Sequence, residues 1–203
     1  MDGRVERGMR RQLASAPSDR IGWKLALNAP AIMEALGLDE PALGWLSRGQ
    51  VASGEHSLAG SAQPAVEPEL LLEAGEGGAV ARLGVALEVV DFDRPLDDVE
   101  EVIAADVFHR AVAFGDLLTG ADPGEAVFSL NGEERVRVAE SEYESPADTL
   151  AFVDRFLRGL GGALVPGELV IAGALAPAAP VAAGDVAELT VSGAGSVSLH
   201  FGS

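Results

Sequence analysis

With 203 residues, 48% of them hydrophobic, and a mean hydropathy above zero, the chain can bury one sizeable core and is not a disordered segment. Its 32 acids against 14 bases give a net charge of −18, and a body of that sign repels phosphate backbones and anionic lipid surfaces. No cysteine is present, which excludes disulfides, thiolate metal sites and thiol nucleophiles and leaves oxygen and imidazole as metal ligands.

The first 20 residues differ from the rest. They carry Arg4, Arg7, Arg10, Arg11 and Arg20 against Asp2, Glu6 and Asp19, so any nucleic-acid contact would have to run through this segment alone. No apolar run approaches the roughly 20 residues of a bilayer span, and the start lacks the apolar core of a signal peptide. The expectation is a soluble, cytoplasmic protein with neither a nucleic-acid nor a membrane partner.

In chain order, Val5, Met9 and Leu13 recur at a spacing of four and predict a short amphipathic helix over residues 3–14, inside an N-terminal segment 1–20 that precedes a main domain 21–203. Residues 21–27 alternate as a strand. Asn28 reads as an N-cap and Pro30 as an early helical position, with Gly37 as the stop of a helix over 30–36. Residues 40–44 and 47–61 read as loop. Strands are expected over 66–72 and 80–92, and the Asp97–Glu100 capping-box pattern opens a helix to about residue 105. A further strand is expected over 107–114. Asn131-Gly132 between 125–130 and 133–138 is a strong hairpin signal, because both central residues of that turn need positive φ. Residues 146–160 present Leu150, Val153, Phe156, Leu157 and Leu160 on one helical face, and strands over 168–173, 186–192 and 195–201 close the chain. The sum is a β-rich α+β fold with a few short helices.

Three acids interrupt the apolar strands. Residues two apart on a strand share a face, so Glu67 and Glu69 set two carboxylates roughly 6.5–7 Å apart at their α-carbons. Glu88 is a third, inside Leu83-Gly-Val-Ala-Leu-Glu-Val-Val-Asp91. Like charges on one face raise each other's pKa and want solvent, a basic partner or a cation. Two readings follow: a wet sheet face, or an oxygen-lined site for Mg²⁺ or Mn²⁺ with positions open for a chelating substrate. Lys24, the only lysine, lies in an apolar strand, either snorkelling at an edge or holding an anionic substrate. His109 is either a satisfied structural histidine or a general base. A Gly-x-Ser-x-Gly elbow and a phosphate-cradling Gly-x-x-x-x-Gly-Lys are both absent.

Taken in order, Gly22-Trp-Lys-Leu-Ala-Leu-Asn28, Pro41 to Gly44, Glu67-Pro-Glu69, Ala86-Leu-Glu-Val-Val-Asp91, Asn131-Gly-Glu133, Gly167 to Gly173, Pro180 to Asp185 and Gly193 to Phe201 resemble the fumarylacetoacetate hydrolase superfamily. The likeness is to its branch of 2-keto-4-pentenoate hydratases and 4-oxalocrotonate decarboxylases. The resemblance implies a mixed β-roll, a Mg²⁺ or Mn²⁺ ion held by Glu67, Glu69 and Glu88, and Lys24 as a second positive charge near the substrate. It further implies a homo-oligomer and a lyase, hydratase or decarboxylase, acting on a short 2-oxo acid such as those released by aromatic-ring cleavage. The alternatives are an acylpyruvate-type hydrolase on the same metal, for which His109 is the candidate base, and a non-catalytic small-molecule-binding or partner subunit. Gly173-Ala-Leu-Ala176 lacks the hydroxyls relatives often carry there, and Asp106 to Arg110, with Val107, Phe108, His109 and Arg110, replaces a region expected to be small and polar.

Overall fold

A computed structural model describes residues 2–203. The chain opens with helix α1 (Gly3–Ala14), strand β1 (Arg20–Ala26), helix α2 (Pro30–Leu36), and strands β2 (Ala42–Ser47), β3 (Glu55–Ser57), β4 (Pro64–Ala74) and β5 (Val80–Asp91). Helix α3 (Val99–Ala104), strands β6 (His109–Phe114), β7 (Ala126–Leu130) and β8 (Glu133–Val138), and helix α4 (Pro146–Gly159) follow. Strands β9 (Leu169–Ala174), β10 (Ala179–Pro180), β11 (Val186–Val191) and β12 (Gly195–Gly202) complete it. One sheet runs β2-β1-β9-β4-β5-β6 with β10 beside β4, and the other runs β3-β12-β11-β7-β8.

The period of two explains how the larger sheet is used. On β4 and β5, Val66, Leu70, Leu72, Val85, Leu87 and Val89 point to the main core, against the second sheet and α4. The opposite face carries a small, fully buried group, Leu46, Leu71, Ala86, Val112 and Ile171. Glu67, Glu69, Glu88 and Lys24 lie on this same face, as the registers Glu69↔Ala86, Glu88↔Val112 and Lys24↔Ile171 require. Both faces of β4 and β5 are therefore lined with apolar residues, which is why their sequences read as continuous core. Burying Leu71 or Ile171 stabilises the fold by roughly 1.5–3 kcal/mol each.

The Asn131-Gly132 turn adopts the positive φ values its type needs, 56° and 75°. Elsewhere the local signals mislead. Residues 42–44, expected as loop, begin β2: Ala42 and Leu43 are buried, and Gly44 is glycine because a Cβ there would lie 2.6 Å from Asp106 Oδ1 and 2.8 Å from Lys24 Cγ. The expected loop over 47–61 is shortened by β3, which pairs parallel with β12. Asn28 does not cap α2; Ala29 holds that position and Asn28 is left facing a cavity. Asp106, Val107 and Phe108 all have positive φ, 65°, 45° and 65°, so β6 starts only at His109.

All five arginines of the first 20 residues pair with acids: Arg4 with Asp2, Arg7 with Glu100, Arg10 with Glu6, Arg11 with Glu101 and Arg20 with Glu168. Helix α1 thus lies against α3, at a distance so short that a Cβ on Gly8 would meet Ile103 at 2.8 Å. No helix among the described residues is long and apolar enough to cross a membrane.

Candidate active site

Strand pairing brings the three glutamates together. Glu67 and Glu88 are direct cross-strand partners on β4 and β5, and Glu69 is two residues along the same face. Each offers an oxygen within 4.8 Å of the others. Glu69 and Glu88 are buried, while Glu67 keeps some exposure toward the cavity.

Local backbone devices orient each group. Strand β9 carries one extra residue opposite β4, between the pairs Leu71↔Ile171 and Glu69↔Ala174. This bulge places Gly173 at φ 87° and turns its N–H onto Glu69 Oε2 at 2.8 Å. Pro68, which lacks an N–H, sits where the ladder to β9 is broken, so no pairing is lost. A Cβ on Gly173 would also collide with Asn28, 2.3 Å from its Nδ2.

Lys24 projects from β1 into this face and is buried. Its ammonium bonds Glu88 Oε1 and donates to Val107 O at 2.9 Å. That carbonyl is presented by the left-handed turn at residues 106–108, an uncommon conformation for a β-branched residue and one that stores strain at the site. The turn is tied down by Trp45 N–H and Gln12 Nε2, which donate to Asp106 Oδ1 at 2.8 and 3.3 Å. Gln12 also donates to Ile103 O at 2.9 Å, so α1 braces the turn from behind.

His109 is buried on the far side of Glu88, with Nδ1 2.8 Å from Glu88 Oε1, and does not line the cavity. Burial lowers its pKa, so the neutral ring donates its Nδ1–H to the carboxylate. Its Nε2 has no hydrogen-bond partner. Arg110 turns outward to Asp93 at 2.8 Å.

The carboxyls diverge in acidity. Burial, then repulsion by Glu88, pushes Glu67 up to about 7. Burial and repulsion by Glu88 and Glu67 raise Glu69 further, and it shares a hydrogen bond with Glu88. Burial also opposes the charge of Glu88, but Lys24 and the His109 hydrogen bond prevail and hold it at about 2. For Lys24, burial is outweighed by Glu88, Asp106 and Glu67, so its pKa is raised and it stays an ammonium. One ammonium against three carboxylates leaves a deficit of positive charge. A hard divalent cation fits this all-oxygen set, since it would satisfy the two glutamates that Lys24 does not.

The cluster opens into a cavity of about 870 Å³. Ala174 and Ala176 line it without hydroxyls, and the side chains away from the glutamates are mainly apolar. Sequence reasoning singled out Lys24 and the three glutamates, which meet here. It passed over Asp106 and Gln12 as site supports, although Gln12 lies seven residues after Val5 on the apolar stripe of α1, a position where a polar residue signals a buried partner.

No protein-family model matches the sequence, and no curated protein matches it significantly. Solved structures do. 4-Oxalocrotonate decarboxylase from Pseudomonas putida G7, complexed with magnesium and adipate, matches with a TM-score of 0.81 at 23% identity, covering 95% of this chain and 81% of that one. Fumarylpyruvate hydrolase from Pseudomonas aeruginosa, in complex with Mn²⁺ and pyruvate, gives 0.74 at 20% identity, with 92% and 90% covered. 5-Carboxymethyl-2-hydroxymuconate delta-isomerase from Mycobacterium smegmatis gives 0.66 at 17%, with 91% and 78% covered. The chain therefore has the mixed β-roll fold of the fumarylacetoacetate hydrolase superfamily, as its sequence blocks implied.

Proposed function

We propose that this chain, built on a fold shared with a decarboxylase, a hydrolase and an isomerase, is a divalent-metal-dependent lyase acting on a 2-oxo acid. The observation that carries the reading is the convergence of Glu67, Glu69 and Glu88 on one point beside a buried, charged lysine. The neighbours' own ligands, adipate and pyruvate beside magnesium and manganese, agree with a small carboxylic acid as substrate. Mg²⁺ or Mn²⁺ bound by the three glutamates would supply a Lewis acid for the C1 carboxylate and C2 keto oxygen of such an acid.

The remaining work falls to the protein. Lys24 has three N–H donors, two of them committed to Glu88 and Val107 O, and the third is available to the cavity. It would stabilise negative charge developing on the substrate's oxygens. Because it remains protonated, it acts as a charge and not as a Schiff-base nucleophile. Glu88 is fixed from two sides, by Lys24 and His109, so it can hold one ligand direction without moving.

The lyase reading is preferred to the hydrolase because His109, the candidate base for delivering water, sits behind Glu88 and away from the cavity. The reading also takes the protein as a cytoplasmic homo-oligomer, with residues 21–203 as the working domain and 1–20 as its brace. The test is proton exchange at C3 of a 2-oxo acid in D₂O, followed by NMR with and without Mn²⁺. Metal-dependent exchange that disappears in Glu67→Gln is expected. Metal-dependent binding without exchange would identify a non-catalytic binder, and no metal binding in calorimetry would sink the reading.

A further inference from the structure

The cavity walls beyond the glutamate cluster constrain the other end of the substrate. Among the described residues that line the cavity, Lys24 is the only cation, and it lies at the glutamate end. The acids are Glu67, Glu69 and Glu88 together with Glu142 and Glu144 on the segment between β8 and α4. Arg94, Arg110 and Arg137, each within two residues of a lining residue, are committed elsewhere: Arg94 and Arg110 to Asp93, and Arg137 to Glu134 and Glu125. None of them lines the cavity.

The wall that remains is apolar. Ile32 on α2, Phe92, Leu96, Phe108, Val138 and Leu175 contribute to it. Phe92 packs edge-on to Phe108 with centroids 5.1 Å apart. Tyr143 turns its hydroxyl away, donating to Gly124 O at 2.6 Å, and so leaves its ring to the wall. Ile32 and Phe92 are also two of only four large hydrophobic side chains exposed among the described residues. Exposed apolar groups gathered at the mouth of one cavity mark a ligand surface better than scattered ones do. The volume, about 870 Å³, is far more than the 2-oxo acid head alone would fill.

We infer that the substrate is a monocarboxylate: a 2-oxo acid whose far end is a bulky apolar group, alkyl or aryl, and that a second, distal carboxylate is rejected. A distal carboxylate would lose its hydration against Ile32, Phe92 and Leu96 with no cation to meet it, and would approach Glu142 and Glu144. An apolar tail instead gains about fourfold in affinity for each methylene buried, the equivalent of its transfer out of water. The inference rests on the metal and 2-oxo acid reading above, and the experiment separates the two.

Calorimetry on the Mg²⁺-loaded protein would use oxalate, which occupies only the metal end, with 2-oxohexanoate, 2-oxoadipate and 2-oxo-4-phenylbutanoate. Expected are Mg²⁺-dependent oxalate binding, 2-oxohexanoate binding at least about tenfold tighter than 2-oxoadipate, and the phenyl acid tighter still. Ile32→Arg, a change on the exposed face of a short helix, should raise 2-oxoadipate affinity and lower that of the phenyl acid. Loss of all Mg²⁺-dependent oxalate binding would overturn the metal reading. Oxalate binding with 2-oxoadipate equal to or tighter than 2-oxohexanoate would overturn the monocarboxylate assignment alone.

Discussion

Glu67 on β4 stands directly opposite Glu88 on β5, a like-charged pair where a sheet ordinarily sets an attractive one. The protein therefore carries repulsion at this point that either a proton on Glu67 or a bound cation relieves. Glu67→Gln should raise the melting temperature of EDTA-treated protein by about 2–4 °C, corresponding to a gain of about 1 kcal/mol. The same change should reduce Mn²⁺ affinity by about 100-fold or more and abolish the thermal shift that Mn²⁺ produces in the wild type. Differential scanning fluorimetry with and without metal reads both effects. A variant destabilised in EDTA yet still shifted by Mn²⁺ would show that Glu67 is a structural residue and not a ligand.

The acidities predict how stability follows pH in metal-free protein. Glu67 and Asp106 are both held up at about 7, in each case chiefly by burial, against 4.5 and 3.8 in an open chain. Between about 4 and 7 the folded state keeps their protons while the unfolded state has released them, so stability falls as pH rises through that window, and Glu69, raised further still, carries the decline beyond it. Glu88, held at about 2, contributes in the opposite sense, and its stabilisation is lost as pH drops below about 4.5. The melting temperature in EDTA should thus peak near pH 4.5 and decline toward pH 7.5. The increment from saturating Mn²⁺ should be largest at the top of the range, where the cation no longer competes with protons. Asp106→Asn should flatten the decline without removing the Mn²⁺ increment. A flat profile from pH 5 to 7.5 contradicts this account.

How far the sequence could go is visible in these same residues. The period of two sets Glu67 and Glu69 on one face, and the Asn-Gly turn and the apolar stripes of α1 and α4 are local signals strong enough to read directly. That Glu88 faces Glu67 depends on the register of β4 against β5, fixed by many side chains packing at once and by no single one. Strand β2 was hidden because Pro41 and Gly44 look like loop residues, whereas Gly44 is small to admit Lys24 and Asp106. The left-handed turn at residues 106–108 runs against the β preference of Val107 and Phe108, and tertiary bonds to Lys24, Trp45 and Gln12 impose it. The bulge that aims Gly173 N–H at Glu69 is likewise a property of two paired strands.

His109 touches Glu88 and not the cavity, so its replacement should act through the geometry of that carboxylate. His109→Phe keeps a ring of similar bulk and removes the Nδ1–H donor, and Mn²⁺ affinity should fall by about 10–100-fold. His109→Asn, whose amide nitrogen can reach the place of Nδ1, should recover most of the loss. If His109 were itself the base, the asparagine variant would bind metal normally yet lose the acidic limb of the pH–rate profile. Titration calorimetry and a pH profile on the two variants distinguish the roles.

Lys24 and Glu88 form a buried pair at the inner end of the cavity, and the consequences of breaking it differ from those of replacing it. Lys24→Met fills nearly the same volume but leaves Glu88 without its cation in a dry site, and the metal-free protein should lose about 3–5 kcal/mol. Glu88→Gln should also destabilise it, by leaving the ammonium unpaired. The double variant, with neither charge, should be more stable than the two single losses added together, by about 1–3 kcal/mol. Divalent metal changes the outcome for one single variant only. In Lys24→Met the three carboxylates remain, and a bound cation supplies the missing positive charge, so saturating Mn²⁺ should recover a large part of the lost stability. In Glu88→Gln the cation meets one ligand fewer and should recover little. Urea unfolding of the four proteins, in EDTA and in Mn²⁺, measures the coupling directly. Equal recovery of both single variants would mean that the cation does not sit at Glu88.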